Sequence, residues 1–183
     1  MKKNGYGGNR TITGLNFEEK TDLNNLLSKI PGYQLKKSED RAGTDIYFEG
    51  EFVARLFKKY EFYRFLEESK INWKSIISKK LLPDDAILVI VRETLFIIEV
   101  KYQQVAGSVD EKLQTCDFKR KQYQKLVSPL GLLVEYVYVL SDWFKKPEYK
   151  DVLDYIQSVH CHYKFNEIPL SWLGLPVKSK ALN

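Results

Sequence analysis

Two apolar runs joined by one short turn constrain this chain more than any other feature. Ala86–Val91 and Leu95–Val100 are dominated by Val, Ile, Leu and Phe, and Arg92-Glu93 turns between them. Runs of this length and composition read as strands of an antiparallel hairpin buried on both faces, so the hairpin should lie in the middle of a sheet. Whatever else the chain forms must cover it.

The flanking sequence supplies the cover. Leu15, Phe17, Leu23, Leu26 and Leu27 recur at helical spacing, and Ile30-Pro31-Gly32 ends that helix. Thr44–Phe48 and Glu51–Leu56, across a Glu49-Gly50 turn, predict a first hairpin. Residues 58–80 read as one or two amphipathic helices. Ser108-Val109-Asp110-Glu111 has the pattern of a capping box, which predicts a helix from about Val109 to Val127. A strand at Val134–Leu140, a helix at Glu148–Val159 and a short strand at Cys161–Phe165 complete an α/β fold with a mixed central β-sheet flanked by helices. With 183 residues, 44% of them hydrophobic, the chain suits one domain over residues 13–183, preceded by a flexible, glycine-containing arm at 1–12.

Charge inside the second apolar run points to chemistry. An acidic residue, any residue, then lysine occurs at Glu18, Glu68, Glu99, Asp110, Asp117 and Glu148. Five of these sit in predicted helices, where such pairs are ordinary surface residues. Glu99-Val100-Lys101 alone sits in a strand. Side chains alternate along a strand, so Glu99, Lys101 and Gln103 share one face and Ile98, Val100 and Tyr102 the other. Burying two charges mid-sheet is costly unless they are paired or bound to a metal. Asp84 opens the neighbouring strand of the same hairpin and could bring a second carboxylate beside Glu99. Paired carboxylates make a hard-oxygen site suited to Mg²⁺, which would polarise a phosphate and acidify a water that Lys101 orients. A plain salt bridge from Lys101 to Glu99 or Asp84 is the competing explanation.

Pro83-Asp84, fourteen further residues, then Glu99-Val100-Lys101 across a hairpin resembles the signature of the PD-(D/E)XK nuclease superfamily, type II restriction endonucleases among them. The order of helix, three strands, helix and strand over about Thr13–Leu140 is similar to that superfamily's core. The resemblance implies that Asp84 and Glu99 bind the metal and that Lys101 serves the attacking water. It implies a further acidic residue at Glu18, in Gly14-Leu15-Asn16-Phe17-Glu18, with Glu19 the alternative as Asp85 is to Asp84. Gln103 resembles the glutamine that some members carry just after the lysine. The activity implied is Mg²⁺-dependent cleavage of double-stranded DNA by a homodimer of the restriction type. A structure-selective nuclease, or a non-catalytic DNA-binding module of the same fold, are the alternatives.

Net charge of +5 and a pI near 9.0 agree with a polyanionic partner. Lys119, Arg120, Lys121 and Lys125 cluster on the predicted helix 109–127, and Arg120, Lys121 and Lys125 are the expected contacts to the DNA backbone. Residues 58–80 and those after Tyr102 are the expected base readers. Two cysteines without CxxC spacing, together with no apolar run long enough to span a bilayer, suggest a cytoplasmic protein. No phosphate-cradling glycine loop appears, so no nucleotide cofactor is expected. His160 and His162 flank Cys161 but offer too few ligands for zinc.

Overall fold

The computed structural model describes residues 14–16, 23–82, 86–102 and 109–178. In chain order its elements are β1 (Gly14–Asn16), α1 (Leu23–Leu27), β2 (Tyr33–Lys37), β3 (Thr44–Phe48), β4 (Glu51–Phe57), α2 (Lys59–Glu68), β5 (Ala86–Val91), β6 (Thr94–Lys101), α3 (Val109–Leu113), α4 (Cys116–Val127), β7 (Leu133–Leu140), α5 (Lys150–Ser158), β8 (His162–Phe165) and β9 (Glu167–Pro169). Short 3₁₀ turns lie between several of them.

Strands β2 to β8 form one seven-stranded sheet in sequential order. From β2 to β6 each strand runs antiparallel to the next, as short connections allow. The chain then crosses over through α3 and α4, so β7 pairs parallel to β6, and through α5, so β8 pairs parallel to β7. The predicted hairpin therefore sits inside the sheet, and Arg92 turns it with a φ of 53°. Alternation along β6 sends Leu95 and Ile97 into a core with α2, α4 and α5, while Phe96 and Ile98 enter a second core with α1 and the segment Ile168–Leu175. The sheet is thus covered on both faces, and its central strands are mostly apolar, with Glu99 and Lys101 the exceptions on β6.

Three sequence expectations change, while the one or two helices expected over 58–80 are met by α2. The helix expected over Leu15–Leu27 is a strand at Gly14–Asn16, paired with Glu167–Pro169, followed by a five-residue helix at Leu23–Leu27. A ladder partner some 150 residues downstream is invisible to local spacing. The helix expected over 109–127 breaks at Gln114-Thr115, where the Thr115 hydroxyl donates to the Lys112 carbonyl at 2.7 Å and competes with the helical ladder. The 58–80 region yields α2 and one 3₁₀ turn at Trp73–Ser75. Finally, β2 was not expected, because Tyr-Gln-Leu-Lys-Lys has too little apolar alternation; its lysines suit a sheet edge. The arm at 1–12 and the Ser108 cap lie outside the described residues.

Candidate active site

Two carboxylates are buried among the described residues, and their surroundings differ. Asp45 on β3 is met at both oxygens by guanidinium groups, Arg41 at 2.6 Å and Arg55 at 2.8 Å. That is a closed structural cluster. Glu99 on β6 is 0% exposed and is met instead by single-point donors. Lys119 of α4 donates to its Oε1 at 2.6 Å, and the Tyr136 hydroxyl of β7 donates to the same oxygen. Lys101 lies 3.4 Å from Oε2 as an ion pair. Oε2 accepts no hydrogen bond among the described residues. One oxygen is therefore anchored and the other is held beside an ammonium with acceptor capacity to spare.

The local folding that creates this follows from periodicity. Glu99 and Lys101 follow Leu95 and Ile97 on the helix-facing side of β6, and Glu99 pairs across the ladders with Ala86 and Tyr138. On β7, Tyr136 and Tyr138 alternate toward the same side, and burial pushes both phenols well above their ordinary value, with Glu99's negative charge adding to the effect. Tyr136 consequently keeps its proton and remains a donor to Glu99. Lys119 stands three residues after Cys116 and four before Tyr123, both fully buried, so helical spacing turns it inward. Tyr63 of α2 and Tyr123 of α4 both donate to the Leu81 carbonyl at 3.2 Å, and the Leu81 amide donates to Tyr63 at 2.6 Å. Two helices thereby hold the backbone just before Pro83-Asp84.

Of the expected site residues, the structure brings Glu99 and Lys101 together. Asp84, Glu18 and Gln103, with the alternatives Glu19 and Asp85, lie outside the described residues. The ladder that pairs Ala86 with Glu99 begins two residues after Asp84. Lys119 and Tyr136 were missed as site residues. Spacing relative to Cys116 and Tyr123 was the available signal for the first; nothing local marked the second. Lys121 and Lys125 are exposed on α4, with Asp117 2.7 Å from Lys121. Arg120 is different: its Nε is buried without a hydrogen-bond partner among the described residues, and its Nη2 lies 3.7 Å from Asp117. His162 pairs with Glu135 at 2.8 Å on the half-buried edge strand β8, and His160 precedes that strand in a left-handed turn.

Residues 36–124, from the end of β2 through most of α4, match the family model described as the PD-(D/E)XK nuclease superfamily domain. Over that span the chain is similar to the nuclease domain of that superfamily. The seven-stranded mixed sheet with flanking helices is consistent with the fold of the PD-(D/E)XK superfamily, and Glu99 and Lys101 both fall inside the matched span. No curated protein and no solved structure matches the chain. A nuclease of this superfamily acts on a nucleic acid and typically uses a divalent metal ion. The donor set fits one: Glu99 Oε2 is a hard carboxylate oxygen with spare acceptor capacity. No group of three or more His, Cys, Asp or Glu side chains that could hold a metal occurs among the described residues. No helix among the described residues is long and apolar enough to cross a membrane.

Proposed function

We propose that the chain is a Mg²⁺-dependent endonuclease that hydrolyses phosphodiester bonds in double-stranded DNA, with Asp84 and Glu99 as metal ligands and Lys101 as the group that orients the attacking water. The observation that carries this reading is the asymmetry at Glu99, buried, anchored through Oε1 by two donors and met at Oε2, among the described residues, only by the Lys101 ammonium at 3.4 Å. The buried Asp45 carboxylate, by contrast, is closed at both oxygens by guanidinium hydrogen bonds.

A bound divalent cation supplies electrophilic charge beside the scissile phosphate. The protein's own contribution is placement. Lys119 and Tyr136 fix the carboxylate so that its free oxygen keeps one direction, which limits reorganisation during the reaction. Lys101, 11% exposed and 3.4 Å from Oε2, holds a compact ammonium where negative charge develops. The apolar walls of the helix-side core keep its field poorly screened. Exposed Lys121 and Lys125 are suited to phosphates of the backbone outside the site.

Incubating the purified chain with plasmid and Mg²⁺ tests the reading. Discrete fragments are expected from a sequence-reading enzyme of the restriction type, working as a homodimer with one site per strand. Cutting confined to branched or nicked DNA would replace that with a structure-selective nuclease, and no cutting of any DNA would leave a binding module.

A further inference from the structure

The segment 77–82 and the first turns of α4 enclose a groove of about 500 Å³ that ends at the candidate active site, because Lys119 both lines it and touches Glu99. Its chemistry is two-sided. Ile77, Leu81 and Leu82 make an apolar floor, and the Phe118 ring stands 60% exposed on the α4 wall. Lys79 and Lys80 line the opposite side and make no ion pair among the described residues. Lys80 lies 4.8 Å from the ring centroids of both Tyr63 and Trp73, contacts that fix an ammonium without neutralising it. Lys79 and Lys80 thus add two ammonium groups to the groove lining, while Lys119, which also lines it, is paired with Glu99.

A ligand that satisfies these walls carries phosphate charge and a planar ring. A base paired inside a duplex offers no face to an exposed phenylalanine, whereas an unpaired base does. We infer that this groove holds a single-stranded stretch of the substrate strand next to the scissile phosphate, with Lys79 and Lys80 on phosphates and Phe118 stacked on a base. The inference rests on the nuclease reading of the neighbouring site and adds that the cut strand of its duplex substrate is peeled from its complement beside the scissile phosphate. Side chains that stack on bases are sequence-tolerant, so the groove holds the peeled strand and leaves base reading to other surfaces.

The test is fluorescence anisotropy in EDTA, where no cleavage occurs, with a short labelled deoxythymidine oligonucleotide and a blunt duplex as probes. Phe118 is exposed, so its variants fold. Phe118→Ala is expected to weaken single-strand binding roughly tenfold while leaving the duplex unchanged, and Phe118→Trp to retain it. Lys79→Gln is expected to lower the salt slope for the single strand by about 0.7 unit. Equal losses on both probes, an unaltered Phe118→Ala, or no measurable single-strand binding by the wild type would each overturn the inference. A wild type that shows the expected binding pattern yet cuts nothing with Mg²⁺ would sink the nuclease reading and leave the groove standing. Plasmid cutting with an unaltered Phe118→Ala would do the reverse.

Discussion

Glu99 is an expensive residue to bury, and what surrounds it separates a structural role from a catalytic one. Replacing it with glutamine keeps the shape and lets Tyr136 still donate to the side-chain carbonyl, so the fold should persist while metal-dependent cleavage falls below detection. A Glu99→Gln variant that cuts normally would remove Glu99 from the active site. Lys119 can be separated from it by a double-mutant cycle. Lys119→Met removes a charged donor 2.6 Å from a buried carboxylate and should cost about 1–3 kcal/mol in urea denaturation. Made in the Glu99→Gln background the same change should cost clearly less, giving a coupling of about 1 kcal/mol or more. Additive effects would mean that Lys119 merely covers the site. Glu99 and Lys101 were legible in the sequence because charge inside an apolar strand is an anomaly that local reading detects. Tyr136 was not, because its partner is set by the parallel ladder between β6 and β7, whose strands are joined only through a helical crossover.

At the scale of elements, α4 shows what periodicity resolves and what it leaves open. Basic clustering suggested Arg120, Lys121 and Lys125 as one phosphate-binding strip. The helix instead distributes its cations: Lys119 to the carboxylate, Arg120 into a partly buried position near Asp117, and Lys121 and Lys125 to solvent. Neutralising Lys121 and Lys125 together should therefore weaken binding about equally on different duplex sequences and reduce the salt slope by roughly 1 unit per residue. Arg120→Ala should leave the slope unchanged and lower stability. A salt titration in which Arg120→Ala changes the slope and the lysine pair does not would reverse this assignment. The same limit explains the strands. The strands β3 to β7, built from dense β-branched runs and tight turns, were readable to within a residue or two, while β1, β2 and β9 depend on partners or an edge position that no local pattern encodes. The break before α4 arises from one threonine hydroxyl, a competition that apolar spacing does not register.

The whole molecule places its candidate chemistry inside a sheet covered on both faces. Glu99 and Lys101 lie on the fifth of seven strands, flanked by an antiparallel neighbour on one side and a parallel one on the other. Helices α2 and α4 clamp the approach to Asp84 through the Leu81 backbone. Such a site is formed by the native sheet and dispersed in the unfolded chain, so a metal that binds it must stabilise the fold by mass action. At a Mg²⁺ concentration about 100 times the dissociation constant the gain is about 2.7 kcal/mol, and at about 2–4 °C per kcal/mol for a chain of this size the melting temperature should rise by about 5–10 °C. The comparison is thermal unfolding in Mg²⁺ against EDTA, for wild type, Asp84→Asn and Glu99→Gln. If Asp84 and Glu99 share the ion, each single variant should lose most of the shift. The Asp45 cluster provides the control, since its carboxylate is already closed by two arginines and Asp45→Asn should lower stability without removing the metal-dependent rise. A Mg²⁺ shift that survives in both Asp84→Asn and Glu99→Gln, or is lost in Asp45→Asn alone, would place the ion elsewhere in the molecule.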